Sequence, residues 1–521
     1  MVGIGFREAF RWTAGRGMQT PSGAPVPSEA WGVGSDGKVV VGEYTSNSAQ
    51  RERTNRHPDT VTRSSESVSS GPFAQPEDLA VTSRHAAIGL LALLLLLPLA
   101  RAARAQCTVT NTGANLVDES LTIGNGSLGS YGLDGPGCDE SYSNIIVGTG
   151  TGGDGFLDVE NGATLAGSEL FVGRSNGGGG GDADFRSGAQ VDISGGCYVS
   201  GFFTAAAIFP PLSTLTVRDA TTHLGCGTDI FVGVLGPGVM TVTDSAAVTA
   251  TGLSSAHDGS AEIHVTNGGS IDFTQTNPDH TLGIREFGSL DVDGGTVTFA
   301  NNTYLLTATA NGGSAAIRVA NGGLISLSGI QALGPTTYTI ADGTIATTAG
   351  AVSTCPACPM VADGTILGDL FLQGDLDLGP GIAQLDILDN PATTGSGRLL
   401  VGNGTAFFEI AGPNSFDRIV ADGASRAFGF AVEVEFIDAY VPAPGTSFGI
   451  ITTPGGLIET NPITVDVMGL PPGTEVTTEV SATGVVVTVP EPWSGSWAAI
   501  AALLTLARIG KIGGVFSTTA K

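Results

Sequence analysis

The sequence is poor in basic residues, in tryptophan and in long apolar runs. It has no lysine between Lys38 and Lys511, and no tryptophan between Trp31 and Trp493. Only 6% of its 521 residues are aromatic. Phosphate contacts need Lys and Arg, so a general nucleic-acid binder is excluded. Sugar-binding clefts usually offer aromatic platforms, and the body of this chain is short of them. Charged residues make up 14% of the chain, which is too few for a polyelectrolyte. No apolar run reaches the ~20 residues of a comfortable membrane span.

Glycine is what the chain has in excess. The 79 Gly are about 15% of the residues, roughly twice the usual ~7%. Together with 26 Pro they stay below the ~25–30% that marks low-complexity disorder. Glycine at this density costs about 1 kcal/mol per helical position, which argues against a helical bundle. A hydrophobic fraction of 41% allows a large core. The length suits about three domains or one long repeat array.

The net charge of −27 is unevenly placed. Residues 1–106 carry 11 Lys/Arg against 9 Asp/Glu, and residues 107–521 carry 11 against 40. The second region, at −29, repels anionic surfaces. Divalent cations are its natural counter-ions, although solubility alone accounts for the excess.

The ends of the chain speak of export. Residues 86–100 read AAIGLLALLLLLPLA, preceded by Arg84 and His85 and followed by Ala103-Arg104-Ala105. A charged start, a short apolar middle and a small-x-small end make a secretory signal over 84–105, cleaved between Ala105 and Gln106. Residues 1–83 are polar and show no helix or strand period, so they read as a disordered leader or as untranslated sequence, with translation starting near Val81. All six cysteines (107, 138, 197, 226, 355, 358) follow the signal, which suits disulfides in an exported chain.

Between residues 144 and 345 one phrase recurs: an apolar-Val-Gly step, a Gly-rich turn, then alternating residues ending in Val and a polar turn. The step appears as Ile146-Val147-Gly148, Phe171-Val172-Gly173 and Phe231-Val232-Gly233. The alternating half appears as Leu157–Leu165, Phe185–Val191, Met240–Asp244, Ile263–Ile271, Leu290–Val297 and Ile317–Gly323. The turn anchors are Asn161, Ser187, Asp219, Asp244, Asn267, Asp293, Asn321 and Asp342, with spacings of 26, 32, 25, 23, 26, 28 and 21. Alternation is the period of a strand with one buried face, and Asn-Gly or Asp-Gly supplies positive φ at a turn. Repeats of 20–50 residues usually stack as solenoids. The expected fold is all-β, a right-handed parallel β-helix over 106–390 in which each Val lies on the Val of the next coil. A C-terminal β-rich region over 391–488 would cap it. An antiparallel sandwich or propeller is the alternative.

Cys107 and Cys138 are 31 residues apart and Cys197 and Cys226 are 29 apart, each close to one coil. Stacking therefore predicts those two bridges, with Cys355 and Cys358 left as a local pair.

Two resemblances add to this reading. Val489-Pro490-Glu491-Pro492, the apolar stretch through Ala507, and Arg508 with Lys511 resemble the PEP-CTERM sorting signal of Gram-negative bacteria, here over 489–511 with a tail over 512–521. The resemblance implies processing by an exosortase, transient membrane anchoring and a place at the cell surface, in the outer membrane or outside the cell. Pro490, Glu491, Pro492 and Arg508 would carry the sorting, with signal peptidase acting at Ala103, Ala105 and Gln106. The Val-Gly steps and Gly-x-Leu-x-Val-x-Asn-Gly phrases are similar to the repeats of PEP-CTERM proteins and autotransporter passengers. Residues 399–452 resemble the end of such passengers.

Chemistry is sparse. Asp182/Asp184, Asp291/Asp293 and Asp375/Asp377 have same-face strand spacing, as paired carboxylates of a glycosidase would need. Chance also produces such pairs among 40 acidic residues. A lyase needs a base, and the eight body arginines form no cluster. His223, His257, His264 and His280 are scattered, without metal spacing. Cys355-Pro356-Ala357-Cys358 reads as a loop bridge and not a redox motif, because β-rich sequence surrounds it. Gly177–Asp182 and Gly152–Gly155 approach a calcium β-roll repeat and then depart from it. The expectation is a non-enzymatic structural or adhesive surface or matrix protein, with no catalytic residues, no metal and no cofactor, calcium being a minor alternative. Exopolysaccharide is the candidate partner. The alternative function is a β-helix polysaccharide lyase or glycoside hydrolase.

Overall fold

The computed structural model describes residues 107–491, apart from 118, 150–152, 174–179, 200–211, 235, 256–258, 276–281, 285–286, 301–303, 308–312 and 394–395, and the backbone of four short strands between residues 11 and 44. Contacts divide the chain into two compact units, Met1–Ala87 and Ile88–Lys521. In the first, Arg11–Thr13 pairs antiparallel with Gly17–Gln19, and Ser28–Val33 with Val40–Tyr44. These hairpins lie where no strand period was expected; strands of three to six residues are too short for one to show. The export signal over 84–105 lies outside the described residues.

The second unit is a parallel β-helix, as the repeat reading expects. Among the described residues there is no helix, and 40 strands join into one hydrogen-bonded system. Each coil contributes three strands to three parallel faces. On the first face Gly155–Glu160 lies between Gly129–Asp134 and Gly181–Phe185, in register. The second face stacks Gln190–Ile193 between Thr164–Gly167 and His223–Cys226. The third stacks Cys197–Val199 between Leu170–Val172 and Ile230–Val232.

The core is a column of like residues. Val217, Val242, Val265, Val292 and Val319 oppose one another coil after coil, each with no exposed surface. Leu215, Met240, Ile263, Leu290 and Ile317 form a parallel column two residues earlier. Strands about 4.8 Å apart bring such side chains into contact. Full burial of each is worth about 1.5–3 kcal/mol. Phe185 and Tyr338 fit the same interior, so the core tolerates single rings.

The turn between the first and second faces follows the sequence anchors. Asn161, Ser187, Asp219, Asp244, Asn267, Asn321 and Asp342 all adopt positive φ, between 49° and 79°. One anchor is corrected. At the coil of Asp293 the left-handed residue is Gly294, with φ 68°. Asp293 is the last residue of its strand, and the turn begins one position later.

Parallel stacking runs on past residue 390. Leu399–Val401 lies on Leu370–Leu372, Phe430–Phe436 on Gly404–Ile410, and Thr464–Met468 on Ala431–Glu435. Antiparallel strands close both ends. Thr108–Thr112 covers Gly129–Asp134 at the start, and Thr477–Ser481 pairs with Gly484–Thr488, which pairs with Ser447–Thr452, at the finish.

Three disulfides join Cys107 to Cys138, Cys197 to Cys226 and Cys355 to Cys358, the pairs that the spacing suggests. Their geometry differs from simple stacking. Cys197 stacks on Ile230 and Cys226 on Ile193, so their bridge crosses from the third face of one coil to the second face of the next. Cys107 precedes the antiparallel cap strand, so its bridge fastens that cap to the first coil.

Candidate functional site

Alternation on the first face sends Leu157, Val159, Ala183 and Phe185 inward, and so sends Phe156, Asp158, Glu160, Asp182, Asp184 and Arg186 outward. Stacking then does what chain spacing alone does not. Asp158 lies directly opposite Asp184, and Asp184 opposite Thr216. Arg186 Nη1 meets Asp184 at 2.6 Å and Asp158 at 3.9 Å, while its Nε meets Glu160 at 2.8 Å. Arg218, from the next coil, donates to both oxygens of Asp184 at 3.1 and 2.6 Å. Thr214 donates to Asp182 at 2.6 Å.

Above this network is a surface depression of about 330 Å³, lined by Phe156, Asp158, Asp182, Asp184, Thr214, Thr216 and Arg218 among others. Its electrostatics are lopsided. Both arginines are spent on Asp184 and Glu160, which leaves Asp158 with its nearest cation at 3.9 Å. Burial pushes the Asp158 carboxyl above its ordinary value; Arg186 opposes this, and the neighbouring Asp184 and Glu160 add to it.

A second charged patch lies further along the same face. Arg318 Nη1 binds Asp291 at 2.6 Å and Asp293 at 3.0 Å. His264 faces Glu262 at 3.4 Å and Asp291 at 3.7 Å. A hydrogen bond from Asn321, then one from Arg318, holds Asp293 below its ordinary value. That is the wrong direction for a general acid at neutral pH.

The other residues singled out in the sequence are apart from these patches. Asp375 accepts a hydrogen bond from the Thr405 amide and Asp377 from the Gly379 amide, so that pair braces backbone. Asp154, in the first near-calcium phrase, accepts from the Gly180 amide across coils. His223 has Thr249 at 3.4 Å. His257 and His280 lie outside the described residues, as do Gly177 of the second near-calcium phrase, Ala103, Ala105, Gln106, Pro492 and Arg508. Pro490 and the exposed Glu491 come one residue after the last strand, Gly484–Thr488. Val489 is tied to the preceding loop: its amide donates to Thr446 at 3.0 Å, and its carbonyl accepts from Gly445 at 2.7 Å. Among the described residues no group of three or more His, Cys, Asp or Glu is placed to hold a metal ion, and no helix is long and apolar enough to cross a membrane.

The network of Asp158, Glu160, Arg186 and Arg218 was not recognised in the sequence, although one signal was available. Glu160 and Arg186 are 26 residues apart, the mean spacing of the turn anchors. Applying the coil offset to charged residues finds this pair and, at 27, Asp291 with Arg318. No protein-family model matches this chain, and no curated protein is significantly similar to it.

Proposed function

We propose that the chain is an exported, non-enzymatic protein that presents a rigid acidic β-helix at the cell surface or in an extracellular matrix. The observation that carries this reading is how the strand-spaced carboxylates are used. Asp184, Asp291, Asp293, Asp375 and Asp377 each bind an arginine or a backbone amide, and most of these bonds join neighbouring coils. Carboxylates used in this way build a scaffold and are not held ready for proton transfer. Three disulfides suit an oxidising compartment. In this reading the segment over 489–511 is a PEP-CTERM-like sorting signal, handled by an exosortase. Fractionating cells that carry the chain with and without residues 489–521 tests the sorting. Loss of surface localisation in the deletion is expected, and identical localisation refutes the signal.

A second reading has one observation in its favour. The depression gathers Asp158, Asp182 and Asp184 beside Phe156, as a carbohydrate-active site would. Incubating the purified chain with exopolysaccharide separates the two readings. Binding without release of oligosaccharide supports the scaffold. Release that is abolished by Asp158→Asn supports the enzyme.

A further inference from the structure

Three turns of the β-helix share an arrangement with a chemical consequence that goes beyond the functional reading. Asn161, Asn267 and Asn321 each precede a glycine and hold φ of 56°, 49° and 51°. Each side-chain amide donates backwards to a carboxylate on the preceding coil: Asn161 to Asp134 at 2.7 Å, Asn267 to Asp244 at 3.4 Å, and Asn321 to Asp293 at 2.5 Å. Each following glycine amide donates forwards to the next coil: Gly162 to Ser187 at 3.0 Å, Gly268 to Gly294 at 2.8 Å, and Gly322 to Asp342 at 2.6 Å.

Asn-Gly is the dipeptide best suited to spontaneous deamidation, because glycine, lacking a side chain, least hinders attack by its own nitrogen on the asparagine Cγ. In that reaction the glycine nitrogen loses its proton to solvent and bonds to Cγ of the asparagine. The Cγ–Nδ2 bond breaks and ammonia leaves. Water then opens the cyclic imide at either carbonyl, giving aspartate or isoaspartate. Solvent water is the only co-reactant. In the stacked coil both participating groups are engaged, the glycine N–H with the coil in front and Nδ2 with the coil behind. The product would replace an amide–carboxylate hydrogen bond with two carboxylates facing each other across a coil boundary, and isoaspartate would also lengthen the backbone at a left-handed turn.

We propose that Asn161, Asn267 and Asn321 are deamidation sites gated by unfolding: inert while the coils are stacked and, once converted, a barrier to restacking. The three turns would then record whether the exported chain has come apart. The full chain incubated at pH 8, with and without denaturing urea, tests the gate by peptide mapping for aspartate and isoaspartate. Conversion at least about tenfold slower in the folded chain is expected, since it must wait for local opening. Equal rates in the two samples overturn the proposal. The barrier is tested by Asn161→Asp and Asn321→Asp. Each should melt earlier than the parent at pH 7, with the deficit shrinking at 0.5 M salt, where the facing carboxylates are screened. Melting at the parent temperature at pH 7 overturns it. A variant that fails to fold at low salt but folds at 0.5 M salt supports it, and failure at both overturns it.

Discussion

Asp417 shows how much one side chain can hold in a solenoid. It is 1% exposed, and its two oxygens accept amides from two segments, Ala383 at 2.7 Å and the nearby Glu409 at 2.7 Å. Burial raises its carboxyl to about 6 from an ordinary 3.8, although both amide hydrogen bonds favour the charged form. The folded state therefore binds the proton more tightly than the unfolded chain. The contribution of this group to stability is fully present below pH 3.8 and is lost as pH rises through about 6, a change of about 2–3 kcal/mol. Asp417→Asn should remove that pH dependence. It should also cost about 1–3 kcal/mol at pH 4, because the donor-only Asn nitrogen would face one of the two backbone amides. Urea titrations of both proteins from pH 3.5 to 7.5 check this, and parallel pH profiles would refute it. Gly148 is a steric counterpart. It holds φ 70°, and a Cβ there would lie 1.8 Å from the Gly180 carbonyl oxygen of the next coil. Gly148→Ala should cost about 3 kcal/mol, read as a lowered urea midpoint. An unchanged midpoint would show that the coils can part at this turn.

At the scale of the strand and its bridge, the disulfides divide by what they enclose. Cys197–Cys226 spans 29 residues and two faces, whereas Cys355–Cys358 spans three residues within one loop. Loop-closure entropy assigns the longer bridge about 3–4 kcal/mol and the local one substantially less. Replacing both Cys197 and Cys226 with Ser should therefore lower the denaturation midpoint more than replacing Cys355 and Cys358. Equal losses would show that strain outweighs chain entropy here. The turn anchors are the elements most readable from sequence, because only a few residue types accept positive φ without strain. Asp293 was misplaced by one residue because Asp293-Gly294 offers two acceptable left-handed positions, and the register of its strand selected the glycine.

For the whole β-helix, the vulnerable places are its ends. Each coil satisfies its neighbour's backbone, so the first and last coils would present bare strand edges. Thr108–Thr112 covers the first edge in antiparallel register and is fastened by Cys107–Cys138. A chain lacking residues 107–117 and carrying Cys138→Ser should associate through the exposed Gly129–Asp134 edge, whereas Cys138→Ser alone should not. Size-exclusion chromatography of the two decides the point. A monomeric deletion variant would show that the edge needs no cover. A C-terminal cap was expected from the sequence, but the N-terminal one was not apparent as a cap. Its residues read as strands like any others, and antiparallel pairing is a property of where the chain returns, not of composition.

Composition and local pattern were enough to establish the all-β class, the coil period, the Val column and the cysteine partners. All of these follow from short-range rules: alternation buries one face, left-handed turns select Asn, Asp and Gly, and a phrase recurring every 21–32 residues stacks coil on coil. Only the tertiary structure decided which charges meet. Asp158, Asp184 and Arg218 belong to three successive coils, and a shift of one residue in either register would turn a carboxylate into the core. The charged face and its depression therefore come into being only when the coils close over one another, because stacking converts distance along the chain into adjacency across it.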